Sequence, residues 1–441
     1  MRAIRARKLA KKWSEGPTLL RRDHAMQIHP DELFKKLHEA GLPPIPEEFS
    51  VVPGHQAIAR ETLTGIDRFI RTFDDVTTRS TWQEAVTAAG PAVTRCMRAE
   101  ACFFSAWDFH LPADQPQEWK LIEFNDNGSG FLFASLINNV FHRQAGLEQD
   151  ATLERPAPYD TLCAHVLEMV EAEATAFFGK CPDGLFLILD DARSLQSGKF
   201  RQEHRLLRAL FGKRGWRAEV GIPQELDWDG RRLRWQEQDV RFIVNRSTDF
   251  LWSGDMFRTL QAAYLKGSVY VAPNPFTYST RSDKRLLELL SLPGWDKEFG
   301  ICDDERMVLS AHVPETHLVR ENNLAEIVRR KEEFVFKPAH GYAGRGLLKS
   351  SQVGHARLRQ LLKKQHWYVA QKKVPKRALA APGRSEAPLW TDLRVWAYRG
   401  QRYLMSGRAS RDPDVLDLTP PGGWVPTYAR NQNRLDPNEM R

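Results

Sequence analysis

Cysteine is scarce: five occur among 441 residues. They are scattered as Cys96, Cys102, Cys163, Cys181 and Cys302, an odd set with no Cys-x-x-Cys pair. That pattern argues for a reducing compartment and against a structural zinc site. No apolar run approaches the roughly 20 residues needed to cross a bilayer. The basic stretch Met1 to Trp13 is followed by no apolar region of the signal-peptide kind, so it reads as a surface helix rather than a secretory leader. A cytoplasmic protein with no membrane partner is the expectation. Zinc-finger spacing and an RRM-like aromatic signature are both missing, which argues against nucleic acid as a partner. The net charge of +8 and pI of about 9.2 serve a polyanionic small molecule equally well. No internal repeat is present.

Core-forming material is plentiful. Hydrophobic residues make up 42% and charged residues 27%, with 13 Trp and 23 Phe, enough for two or three domains. Residues 1–95 read as a helical, surface-rich region, including a helix from Asp31 to Ala40 that stops at Gly41. Residues 96–180 open with two strands, Ala101–His110 and Trp119–Asn125, joined by a polar hairpin loop; helices follow near 130–143 and 159–178. Residues 181–275 alternate strand and helix. The continuous apolar run Leu185–Leu189 has the character of a buried parallel strand, and the whole segment suggests a small α/β unit. Residues 276–441 form the last block, with Arg377–Ala387 expected as a mobile loop.

Four short patterns carry possible chemistry. Phe334-Val-Phe-Lys337-Pro-Ala-His-Gly341-Tyr-Ala-Gly344-Arg345-Gly346-Leu-Leu348 places a lysine at a strand end before three glycines, flanked by apolar runs that both read as strands. Glycines let backbone N–H groups approach an anion closely, and the lysine can reach a phosphate. The pattern is neither a Walker A loop nor a dinucleotide fingerprint; a bare glycine hairpin is its plainest reading. Glu123 and Asn125 point the same way on one strand, with Asp108 on its neighbour. Together they offer hard oxygen ligands suited to Mg²⁺, or simply a solvated hairpin. Asp392 and Arg394 share one strand face, where an arginine fork can clamp phosphate oxygens or pair with the aspartate. Trp367–Pro375 runs from an apolar strand into a polar turn able to frame an adenine edge.

Taken in order, these residues resemble the ATP-grasp family. There, a lysine precedes a mobile glycine-rich loop, a hinge contacts adenine, an Asp-Leu-Arg-like strand follows, and Glu-x-Asn with an acidic partner binds magnesium. Here Glu123-Phe-Asn125 lies about two hundred residues before the loop, an inversion that resembles the circularly permuted branch that includes the glutathionylspermidine synthase synthetase domain. Ser282-Asp-Lys284-Arg-Leu-Leu, Val244-Asn-Arg246, Ser406-Gly-Arg408 and Pro421-Gly-Gly423 are similar to further elements of that branch and its relatives. The resemblance covers about residues 95–428. One departure is Ala106, where the branch carries an arginine two residues before the metal aspartate.

The resemblance implies an α+β fold: a circularly permuted ATP-grasp fold with an inserted Rossmann-like pre-ATP-grasp α/β unit and a helical N-terminal region. It implies ATP and Mg²⁺ as cofactors. Lys284, Lys337, Gly341, Gly344, Arg345 and Gly346 would serve the phosphates, Gln371, Lys372 and Val374 the adenine, and Asp392 would belong to the same nucleotide site. Asp108, Glu123 and Asn125 would hold the metal, and Arg394 and Arg408 the transferring phosphoryl group. The implied activity is ADP-forming ligation of a small-molecule or peptide carboxylate to an amine through an acyl phosphate. Phosphorylation without ligation, and nucleotide binding without turnover, are the alternatives.

Overall fold

The computed structural model describes residues 35, 38, 39, 50–96, 103–291, 293–341, 346–379, 388–413, 418 and 420–431. Most of the expected helix at 31–40 and the start of the expected strand at 101–102 lie outside them.

Strand β1 (Gln56–Ala59) runs straight into helix Arg60–Thr77, and helix Ser80–Thr87 follows. Next come β2 (Ser105–His110) and β3 (Lys120–Asn125), then helices Phe131–Gln144 and Tyr159–Phe178. The middle of the chain carries β4 (Leu185–Leu189), helix Arg201–Lys213, β5 (Arg217–Gly221), β6 (Leu226–Trp228), β7 (Leu233–Trp235), β8 (Gln238–Asn245), helix Arg258–Leu265 and β9 (Tyr270–Ala272). Helices Arg285–Ser291 and Asp303–His312 lead to β10 (Thr316–Leu318), β11 (Phe334–Pro338), helix His355–Lys363 and β12 (Tyr368–Lys372). The chain closes with β13 (Arg377–Leu379), β14 (Leu389–Thr391), β15 (Leu393–Tyr398), β16 (Gln401–Ser410), β17 (Gly423–Val425) and β18 (Thr427–Arg430).

The largest sheet has the order β13–β14–β16–β15–β2–β3, with β17 added against β16. It joins strands from opposite ends of the chain: β15 lies antiparallel to β2, with Arg394 opposite Asp108. A second sheet, β5–β4–β8–β7–β6 with β9 on β8, contains the parallel set β5, β4, β8, β9. Every residue of β4 is buried, as its unbroken apolar run requires when both faces are covered. The third sheet is the small antiparallel unit β10–β12–β11. Two expectations need correcting. Arg377–Leu379, read as part of a mobile loop, is paired as β13 with β14; residues 380–387 lie outside the described set. The apolar run after the glycines forms only an isolated bridge, Phe336 to Leu348, rather than a strand.

Helix Arg60–Thr77 explains one side of the large sheet. Leu63, Ile66, Phe69, Ile70, Phe73 and Val76 recur at helical spacing and are all buried. They meet Trp107, Phe109, Phe124, Leu393 and Val395 in one hydrophobic core. The ring of Phe69 packs edge-on against Trp107, Phe109 and Trp119. Strand alternation then sends Asp108, Glu123, Asn125 and Arg394 to the opposite face. β1 pairs in parallel with β18, so the segment that precedes this helix is stitched to the far end of the chain. No helix among the described residues is long and apolar enough to cross a membrane.

Because Phe69 is fully buried under that aromatic cluster, Phe69→Ala should cost about 3–5 kcal/mol of unfolding free energy. Urea denaturation measures it; a loss below about 1 kcal/mol would mean the helix is not integral to the sheet.

Candidate functional site

The polar face of the large sheet is organised by strand register. Asp108 sits opposite both Arg394 on β15 and Glu123 on β3, and Ala106 sits opposite Asn125. Arg394 donates Nε and Nη2 to the two oxygens of Asp108 at 2.6 and 2.7 Å. Arg408, from β16, reaches the same carboxylate at 2.8 Å and also pairs with Asp392. The Arg408 backbone N–H donates to Asp392 Oδ1 at 2.8 Å. Burial works against ionisation of Asp108, yet Arg394 and Arg408 outweigh it and hold its pKa at about 2. Arg408 is pushed upward: burial opposes its charge, but Asp108 and Asp392 overcome that.

A β-bulge matters next. Asp108 pairs with Glu123 and Phe109 with Leu121, so Ile122 is the extra residue on β3. Its carbonyl is thereby released and accepts from Lys337 Nζ at 3.3 Å and from Gln371 Nε2 at 3.2 Å. Lys337, at the end of β11, also donates to Gln371 Oε1 at 2.7 Å. Lys284 donates to the Gly341 carbonyl at 2.5 Å and pairs with Glu123 at 3.0 Å. Burial lowers the Lys337 pKa to about 8 and neighbouring Lys284 adds to this, while Glu123 and Asp108 partly oppose it. Glu123 is resisted by burial but lowered overall by Lys284 and Lys337. Lys284, Lys337, Arg394 and Arg408 are thus gathered around Asp108, Glu123 and Asp392, a concentration of positive charge that an anion could meet.

The other expected residues divide. Gly341 and Gly346 border the loop; Gly344 and Arg345 lie outside the described residues. Gly346 has φ of +76°, and a Cβ there would come within 2.9 Å of Pro338, so the turn needs glycine. Gln371 is in the cluster, but Lys372 is exposed and turns to Glu315 at 3.7 Å. The carbonyl of Val374 lies 3.1 Å from His110 Nδ1, which therefore carries the proton. His110 was not anticipated, although it lies two residues beyond Asp108 and shares its strand face in the period-two pattern. Burial, with Lys376 and Lys337, holds its pKa well below the ordinary value.

The residues present fit a hard cation in part. Glu123 Oε2 and the Asn125 amide make no hydrogen bond among the described residues and are oxygen donors of the right kind. Asp108 is a third, though its oxygens already accept from two guanidiniums. No set of three or more His, Cys, Asp or Glu side chains among the described residues makes a metal site, so an ion here would depend on Asn125 and on ligand or water oxygens. A second unanticipated residue is Asp126, immediately after Asn125. It is 4% exposed and neither carboxylate oxygen accepts a well-formed hydrogen bond, although the hydroxyls of Thr277 and Ser282 face it. Burial raises its pKa to about 6 against the opposing charge of Arg281. Nothing in its sequence position distinguishes it from a solvated turn residue.

No protein-family model matches the chain, and no curated protein matches it. Among solved structures, a glutathione synthetase-like effector from Globodera pallida, in apo form, is 12% identical over 91% of this chain and 98% of its own, with a TM-score of 0.56. A putative gamma-glutamylcysteine synthetase from Methylobacillus flagellatus KT is 12% identical over 82% and 87%, with a TM-score of 0.42. The ATP-grasp ligase PsnB, complexed with minimal precursor, Mg and ADP, is 14% identical over 57% and 90%, with a TM-score of 0.27. The first of these likenesses shows a shared fold; the other two are too distant to bear on it.

Asp108→Asn should cost about 3–5 kcal/mol, because it leaves two guanidiniums facing a neutral amide in a buried site. With a folded pKa of about 2 against the ordinary 3.8, Asp108 contributes stability above pH 3.8 that is lost as pH falls toward 2. Acid denaturation followed by circular dichroism should show this step in the wild type and its absence in the variant; identical acid limbs would contradict it.

Proposed function

We propose that this protein is an ATP-dependent, ADP-forming ligase that joins a carboxylate to an amine. The observation that carries the reading is the convergence of Lys284, Lys337, Arg394 and Arg408 on one sheet face with Glu123, Asn125 and Asp108, beside Gly341. Such an assembly suits phosphoryl transfer, which needs positioning and charge neutralisation more than covalent help from the protein. The fold shared with a glutathione synthetase-like effector supports it.

In this reading the chain belongs to the circularly permuted ATP-grasp branch. Residues 96–180 carry the metal-binding part, 181–275 a Rossmann-like pre-grasp unit and 276–441 the nucleotide-binding part, with 1–95 as a helical addition. Lys337 and Lys284 hold the phosphates of ATP together with the Gly341–Gly346 loop, including Gly344 and Arg345, and Asp392 serves the nucleotide site by holding Arg408 in place. Gln371, Lys372 and Val374 frame the adenine through backbone groups. Glu123, Asn125 and Asp108 would hold Mg²⁺, which when bound offsets phosphate charge. A substrate carboxylate oxygen attacks the γ-phosphorus and ADP leaves. The amine then attacks the acyl phosphate carbon, inorganic phosphate departs, and the nitrogen loses a proton to give the amide. Arg394 and Arg408 steady the charge of the transferring group, and the pinned β2–β15–β16 register keeps them aligned. The substrates are small molecules or peptides, and the protein works in the cytoplasm.

One observation favours a second reading. Asp108 is saturated by two guanidiniums, and Ala106 lacks the positive charge of the related branch, which suits a protein that binds nucleotide without turnover. Phosphorylation without ligation is separated from both by mass spectrometry of the substrate.

Lys337→Ala should weaken ATP binding by roughly 10- to 150-fold in calorimetry, the worth of about 1.5–3 kcal/mol for a charged hydrogen bond; unchanged affinity would rule out the loop's role. Glu123→Ala should reduce ADP release by at least about tenfold with any productive carboxylate and amine pair, and undiminished release would remove the metal assignment. Since Lys337 titrates at about 8 in the free protein, ATP affinity should fall as pH rises through that value, because the anion binds the charged amine. A flat profile from about pH 7 to pH 9 would contradict this.

A further inference from the structure

We propose that Asp126 forms the floor of a separate subsite for the ammonium head of a primary amine. As the subsite of the amine substrate, it rests on the ligase reading; as an ammonium site, it does not. Asp126, Asn125 and Lys284 line a cavity of about 10 Å³, within a recess of about 350 Å³ that takes in open solvent. The enclosed space has room for one water-sized group. Asn245, the last residue of β8, and Asn274, just beyond β9, close it from the carboxyl ends of the parallel strands, where α/β sheets present ligand crevices.

The case starts from charge. Asp126 is 96% buried by its 4% exposure, and both oxygens lack a hydrogen-bond donor in good geometry. The hydroxyls of Thr277 and Ser282 face it, but a buried carboxylate without a cation is costly, and a neutral hydroxyl or water does not offset its charge. The nearby cations are engaged elsewhere: Lys284 with Glu123 and the Gly341 carbonyl, Arg281 with Asp74 at 2.9 Å. Two of the three amide donors are also spent, and the third, on Asn125, is neutral. Asn245 Nδ2 goes to the Pro273 carbonyl at 3.1 Å and Asn274 Nδ2 to the Val271 carbonyl at 2.9 Å. What remains around the cavity is a carboxylate, the neutral Asn125 amide, the Ser282 hydroxyl, which accepts from the Asp126 backbone N–H at 2.9 Å, and amide oxygens, each carbonyl having a second lone pair. Phe250 and Tyr278, stacked with centroids 4.8 Å apart, add an aromatic wall that favours a cation.

That chemistry selects the occupant. Mg²⁺ keeps several waters in a rigid octahedron, and a cavity of about 10 Å³ has no room for them. An ammonium group needs only three acceptors and carries the compensating charge on an organic tail that the wider recess can admit. The Asn125 side of the cavity adjoins Glu123, so an amine held there stands next to the proposed phosphoryl-transfer site.

The test uses n-butylammonium chloride as probe, with n-butanol and sodium butyrate as controls at matched ionic strength. Wild-type protein should show saturable binding of butylammonium by calorimetry and a raised thermal midpoint, with neither control active. Asp126→Asn, checked for folding by circular dichroism, should weaken that binding at least tenfold. Should it fail to fold, Phe250→Leu should weaken binding by severalfold through loss of the aromatic wall. No saturable binding by wild type, or equal binding by Asp126→Asn, overturns the subsite. ATP binding is measured in parallel: ATP bound without butylammonium removes the subsite and leaves the ligase reading standing, whereas butylammonium bound without ATP does the reverse.

Discussion

The buried ion network of Asp108, Arg394, Arg408 and Asp392 is the constraint on which the rest of the structure depends. Its four members come from β2, β15, β16 and the residue just before β15. Asp108 and Asp392 are each 2% exposed, so neither tolerates the loss of its partner. The bidentate Arg394–Asp108 pair enforces one register between strands 286 positions apart in sequence. The opposite faces of the same strands are then committed to the aromatic core under helix Arg60–Thr77. The network also reaches the chain ends. Gln56 donates to the Asp392 carbonyl at 2.9 Å and to Thr427 at 3.0 Å, and a Cβ at Gly407 would lie 2.2 Å from that amide. Glycine there is what lets β1 and β18 close beneath the polar face.

This arrangement divides the labour of the charges. Asp108 is held ionised by arginines and gives rigidity. Glu123, Lys284 and Lys337 are held more loosely, each by one or two contacts, and sit where a polyanion could exchange for them. Ile122 links the two groups: a bulge in β3 turns its carbonyl toward Lys337 and Gln371, tying the small sheet β10–β12–β11 to the large one. Asp126 stands apart: its charge is buried, and the nearby cations Lys284 and Arg281 are paired elsewhere.

Much of this was legible from sequence, for physical reasons. The run Leu185–Leu189 announced a buried parallel strand because both faces are covered. Glu123 and Asn125 announced a shared face because strands alternate, and so did Asp392 and Arg394. The pairings were not legible. That Lys284 meets Glu123, or that Arg394 and Arg408 both seize Asp108, depends on register between distant strands, which no local pattern encodes. The bulge at Ile122 leaves no mark in composition. Lys372 reads as part of a nucleotide hinge through its backbone, and its side chain turns outward to Glu315 because alternation at a strand end sends neighbours to opposite sides. The segment Arg377–Leu379 was read as loose because of its small and basic residues, yet pairing with β14 holds it.

The most direct test of the account is a crystal structure with a non-hydrolysable ATP analogue and Mg²⁺. The triphosphate should lie between Lys337, Lys284 and the glycines at 341 and 346, with the metal on Glu123 and Asn125 and with Asp108 released from Arg408 to reach it. A nucleotide bound elsewhere, or bound here with Glu123 and Asn125 touching no metal, would contradict it.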